Sequence, residues 1–122
     1  MPNIFIDPAN GQLSIKIKVT TSQNVGYDFR AIDAQQNSIA EVKGNLGLNA
    51  DQAINSLSAP VSNYINGFLS GVVIIDDDGN DYAVVVSVMQ NNVELTPSIQ
   101  ITGASSGSAV TKQPTFHINV KP

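Results

Sequence analysis

Four carboxylates within six residues are the densest chemistry in this chain. Asp76, Asp77, Asp78 and Asp81 surround Gly79, and Asn80 adds an amide oxygen. Ca²⁺ takes about six to eight hard oxygen ligands, and a loop of this composition supplies several. Asp76, Asp78, Asn80 and Asp81 are therefore the candidate metal ligands, and Ca²⁺ is the candidate ion. The spacing is not that of an EF-hand. Placing Gly79 at the sixth position of that loop puts Ile74 at the first, where an acid belongs. Without a metal the same residues make an ordinary turn. Asp-Gly and Asn tolerate positive φ, and close carboxylates in water repel by only ~1 kcal/mol per pair.

Other reactive types are sparse. Gly103-Ala104-Ser105-Ser106-Gly107 matches G-x-S-x-G. A nucleophile elbow needs a helix after the serine and an acid and a histidine further on. No acidic residue follows Ser105, so a Ser/Gly loop is the expectation. His117 is the sole histidine and reads as a surface residue. Asp28 and Arg30 sit two apart and share a strand face, which suggests an exposed ion pair worth ~0–1 kcal/mol. No G-x-G-x-x-G, phosphate-binding loop or H-E-x-x-H is present. No catalytic residue and no organic cofactor are assigned, and the chain is expected not to be an enzyme.

The run Asp78-Gly79-Asn80-Asp81-Tyr82-Ala83-Val84-Val85-Val86 resembles the acidic loop and last strand of small calcium-dependent fucose- and mannose-binding bacterial lectins. The likeness covers nine of 122 residues, and it lacks the acidic and amide residues of that pattern after the tyrosine. It implies a cysteine-free β-sandwich whose calcium ions, held by Asp and Asn, bind sugar. Carbohydrate is thus one candidate partner.

Composition narrows the classes. Charged residues make up 13%, about half the usual share. Thirteen Asn, eight Gln, twelve Ser and six Thr take their place, giving a surface that hydrogen-bonds widely and repels little. The six basic residues are scattered and the net charge is −4, so no stripe exists to neutralise nucleic-acid phosphates or anionic lipid. Cysteine is absent, which excludes disulfides and thiolate zinc sites. No signal peptide and no transmembrane-length apolar run is visible, so a soluble protein without membrane insertion is expected.

The elements that must carry these residues are mostly strands. Leu13, Ile15, Ile17 and Val19 alternate with Ser14, Lys16 and Lys18, a period of two. With Ile4-Phe5-Ile6 and the turn Asp7–Gly11 they predict a hairpin over 4–19. Tyr27–Ile32 and Ile39–Val42 flank the polar turn Asp33–Ser38 as a second pair. Val72–Ile75 and Tyr82–Met89 flank the acidic turn as a third. Val84-Val85-Val86 is apolar on both strand faces and asks for a cover on each: a helix, a second sheet or another subunit. Val93–Leu95, Ile99–Thr102 and Thr115–Val120 complete the set, with Gly103–Pro114 as a long loop.

One segment breaks the alternation. Ile54, Leu57, Val61, Tyr64, Ile65, Phe68 and Leu69 recur at steps of three and four, which predicts a helical segment over about 49–69, capped by Asn49 and interrupted at Pro60. A hairpin on Asn66-Gly67 is the competing expectation. Ile6-Asp7 with Leu13–Val19 also echoes Ile75-Asp76 with Tyr82–Val88, which suggests two four-stranded halves.

Together these readings predict one domain spanning 1–122: a mainly β, antiparallel β-sandwich of about seven or eight strands with one inserted helical segment. The functional expectation is a non-enzymatic binding, adhesion or assembly module that acts through its surface on a protein partner or on itself as a homo-oligomer. The alternative is a calcium-dependent carbohydrate-binding protein using the Asp76–Asp81 turn.

Overall fold

The computed structural model describes residues 2–9, 11–19, 24–47, 52–76, 81–104 and 108–121. Ten strands form within them: β1 (Asn3–Ile6), β2 (Leu13–Val19), β3 (Val25–Ile32), β4 (Ser38–Leu46), β5 (Gln52–Ser56), β6 (Phe68–Ile75), β7 (Asp81–Gln90), β8 (Val93–Ala104), β9 (Val110–Lys112) and β10 (Thr115–Val120). Alternation dictates most of them. In β2 the apolar set is buried while Ser14, Lys16 and Lys18 face outward.

Two sheets pack face to face as a β-sandwich. The larger has the order β1-β10-β6-β3-β4, with β9 also paired to β6. The smaller has the order β5-β2-β7-β8. Parallel pairing occurs between β1 and β10; the other ladders are antiparallel. One apolar cluster fills the space between the sheets. It includes Ile4, Ile15, Ile17, Phe29, Leu69, Val84, Val86, Phe116 and Ile118.

Three expected pairings fare differently. The hairpin of β3 and β4 forms, and the Asp33 carboxylate accepts the backbone N–H groups of Gln35 and Asn37, both at 2.9 Å, to shape its turn. The hairpins expected over 4–19 and around the acidic turn do not form. β1 and β6 belong to the larger sheet, while β2 and β7 belong to the smaller. Each turn is a crossover between layers. The first is latched by the buried Gln90 side chain. Its Oε1 accepts the Asp7 N–H at 2.9 Å, and its Nε2 donates to the Asp7 carbonyl at 2.7 Å. The two predicted halves are interleaved, since β2 pairs with β7 and β3 with β6.

The inserted helical segment expected over about 49–69 is not seen. Its place is taken by β5, one turn of 3₁₀ helix at Val61–Asn63, and the start of β6. The backbone explains why. The Leu57 N–H donates to the Leu13 carbonyl, that of Val61 to Gly11 and that of Asn66 to Ile118, so these amides bond to other segments instead of the preceding turn. Asn66 does supply a turn, with φ of 63°, but the strands beside it lie in different sheets. Leu57, Val61 and Tyr64 are all buried, which accounts for the apolar spacing without a helix. Burial pushes the Tyr64 phenol up to about 12. Asn49 lies outside the described residues. The expected loop over 103–114 is shortened by the end of β8 and by β9.

The apolar faces of Val84–Val86 are resolved simply. Val84 and Val86 point into the core, and Val85 lies half-buried on the outer face opposite Lys18 and Gln100. Beside it, Lys16 and Glu94 form an ion pair of 2.5 Å across β7, and Ser87 beneath is buried.

Inside the sandwich, aromatic rings lie over cross-strand glycines. Phe29 faces Gly71, Tyr27 faces Gly44 and Tyr82 faces Gly103. A Cβ at any of the three glycines would run into the facing ring. Gly71→Ala is therefore expected to cost about 1–3 kcal/mol, lowering Tm by about 4–12 °C in thermal denaturation. Adding Phe29→Leu should recover part of the loss; a Gly71→Ala protein as stable as the parent would contradict this packing.

Candidate functional site

The outer face of the larger sheet carries the best-formed surface feature. Strand β6 points Phe68, Ser70, Val72 and Ile74 outward, and β3 points Gly26, Asp28, Arg30 and Ile32 outward beside them. Gly26 lacks a side chain between Ile74 and Asn45, and a hollow of about 390 Å³ opens there, lined also by Asp28, Lys43 and Val72. A second hollow of about 250 Å³ follows along Arg30, Ile32 and Ser70. A third, of about 350 Å³, ends the row at Phe68, Gln36 and Thr115. The row forms one shallow, open trough along β3 and β6.

Cross-strand register sets its charges. β4 places Lys43 opposite Asp28 and Glu41 opposite Arg30. Arg30 Nε donates to Glu41 Oε2 at 3.0 Å, whereas its contact with Asp28 is 3.7 Å. The expected Asp28–Arg30 pair is thus the weaker half of a four-charge cluster. Asp28 and Glu41 are diagonal neighbours across the β3–β4 ladder, and each shifts the pKa of the other. Desolvation, helped by Glu41, raises the Asp28 pKa above its usual 3.8. The bond from Asp28, with that from Arg30, holds Glu41 below its usual 4.5. Asp28 Oδ1 is buried and has no hydrogen-bond partner among the described residues. Glu41 and Lys43 carried no signal in isolation. The signal was joint: their signs match Arg30 and Asp28 once β3 and β4 are laid antiparallel.

His117 lies on the same face, nearer the β1 edge. Its Nδ1 is 3.0 Å from Asn3 Oδ1, which also accepts from Asn119 Nδ2 at 3.2 Å. The Phe68 ring stands 5.2 Å away, between centroids. These contacts fasten β1 to β10 and β6. His117 and Asp28 do not meet in a common pocket.

The candidate metal ligands divide. Asp76 directly follows β6 and Asp81 begins β7, so they bound the crossover between the sheets. Both are exposed, and the Asp76 N–H donates to the Asn24 carbonyl at 3.0 Å. Asp78 and Asn80 lie outside the described residues, as does Ser105 of the G-x-S-x-G match. Among the described residues no three His, Asp or Glu side chains gather as a metal set. None of their helices is long and apolar enough to cross a membrane.

No family model, no curated protein and no solved structure matches this chain.

The carboxyl pair yields a pH prediction. A raised folded-state pKa means that Asp28 favours folding below its usual value and loses that benefit as pH rises through the raised one. Glu41, being lowered, works the other way: its benefit is present above 4.5 and lost as pH falls. Asp28→Asn keeps a neutral donor for Glu41 and removes the carboxylate that resists ionisation. The variant should melt about 1–3 °C higher than the parent at pH 7, with the gap closing near pH 3. An Asp28→Asn protein that melts lower at pH 7 would show that Lys43 and Arg30 outweigh the burial.

Proposed function

We propose that this chain is a non-enzymatic binding, adhesion or assembly module that works through its surface and associates with itself. The observation that carries this reading is the outer face of the larger sheet. Val72 and Ile74 remain 37% and 44% exposed there, on the floor of an open trough edged by charges of both signs. Apolar floors with polar, charged rims are the usual anatomy of protein contact surfaces. The low charge content and amide-rich composition place little repulsion between copies. The trough is shallow and its titratable groups lie along a flat strand face, an arrangement better suited to contact than to enclosing a substrate.

The second reading, calcium-dependent carbohydrate binding, rests on Asp76 and Asp81 standing at the two ends of one crossover. Ligand binding to the native state raises Tm, so the two readings separate in one experiment. On the first, sedimentation velocity shows a concentration-dependent dimer or larger species, and Ca²⁺ leaves Tm unchanged. A strict monomer at millimolar concentration would sink it. A Ca²⁺-induced rise that Asp78→Ala/Asp81→Ala abolishes would favour the second.

A further inference from the structure

We propose that β4 is a self-recognition edge, and that two copies of this chain join by antiparallel pairing of Ala40–Gly44 about a two-fold axis at Val42. This names the surface for the self-association proposed above and rests on that reading.

Among the described residues the edge strands are β1, β4 and the three-residue β9 in the larger sheet and β5 and β8 in the smaller, and all but β4 are poor templates. β1 and β5 are four and five residues long. β8 is longer, but Pro97 interrupts it and its register with β7 shifts between Val86 and Val88. β4 is nine residues long, contains no proline and, among the described residues, pairs only with β3. Its register with β3 slips once, between Ala31 and Ile32, leaving Ile39 as the extra residue. That bulge ends the regular edge at Ala40.

The sequence of the edge is complementary to itself. A two-fold at Val42 sets Glu41 opposite the second copy's Lys43, and Lys43 opposite the second copy's Glu41. Directly opposed opposite charges favour an antiparallel pair, and like charges disfavour it. Lys43 makes no ion pair among the described residues, so its ammonium is available. Glu41 already accepts from Arg30 Nε at 3.0 Å on the β3 side, so its carboxylate would be shared between Arg30 and the second copy's Lys43. On the core side the same axis sets Val42 against Val42 and Ala40 against Gly44. These residues are small, and Ala40 and Val42 are apolar and only half-buried in one copy. Both faces of the strand therefore match in one register. The interface is isologous and closes at two copies.

Charge reversal tests the register. Lys43→Glu opposes acids at both ends of the ladder, and Glu41→Lys opposes bases. Each variant alone should sediment as a monomer, whereas an equimolar mixture restores both ion pairs and should form a heterodimer. Circular dichroism of each variant checks folding. A second measurement does not depend on charge. Residues directly opposed in an antiparallel pair have Cα atoms about 4.5–5.5 Å apart, within disulfide range. The chain has no cysteine of its own. Val42→Cys should cross-link two copies under mild oxidation, while Glu41→Cys, about 7–8 Å from its symmetry mate, should not. A dimer that persists in Lys43→Glu and leaves Val42→Cys uncrosslinked overturns the edge while self-association stands. A strict monomer overturns both.

Discussion

The sandwich depends on aromatic rings lying where the facing strand has no side chain. Phe29 over Gly71, Tyr27 over Gly44 and Tyr82 over Gly103 are the same device used on three ladders. A sheet interior packs to crystal-like density, so a large ring needs a small neighbour. The device also sets reach. With Gly44 leaving room, the Tyr27 hydroxyl extends to the other sheet and accepts from Asn55 Nδ2 at 2.5 Å. That bond ties the layers beside β4 and β5.

The second organising constraint is the nested order of pairing. β3 pairs with β6, and β2 pairs with β7 outside it. A chain that pairs in this way must pass between layers at both ends of the nest. One passage leads from β2 to β3 and the other, at Asp76, from β6 to β7; the Asp7 crossover brings the chain from β1 into β2. This is why two turn-rich segments that look like hairpin loops are not hairpins. A turn dipeptide reports that the chain reverses; it does not report whether the returning strand joins the same sheet. Gln90 shows the difference, since its amide serves the Asp7 backbone where a hairpin ladder would otherwise have done so.

Strands were legible from alternation because each has one wet face. Leu13–Val19 and Thr115–Val120 were read directly, and the two-layer class follows from such one-sided strands. The helical expectation over 49–69 failed for a physical reason. The spacing of three and four arises here because Leu57 just after β5, Val61 in the 3₁₀ turn and Tyr64 just after that turn are each buried in succession. Pro60, extended at φ −62° and ψ 146°, is where that succession changes direction. The Asp28–Arg30 pair was visible as two residues on one face. Its real partners were not, because Glu41 and Lys43 belong to the cluster only through register.

Register also gives the outer face its economy. Asp28, Arg30, Glu41 and Lys43 sum to no net charge, so the trough edge neither attracts nor repels a distant ion strongly. Specificity there must come from position. A lysine on an edge strand ordinarily discourages a second strand from adding. One glutamate two residues before it changes the meaning. On the pairing proposed above, about a two-fold between them, the deterrent to strangers would become an address for the same chain. The bulge at Ile39 limits the match to a short ladder, which favours a closed pair over an extended stack. On that proposal, guarding the edge and recognising a copy would be one arrangement of the same two side chains, set by the alternation that made β4 a strand.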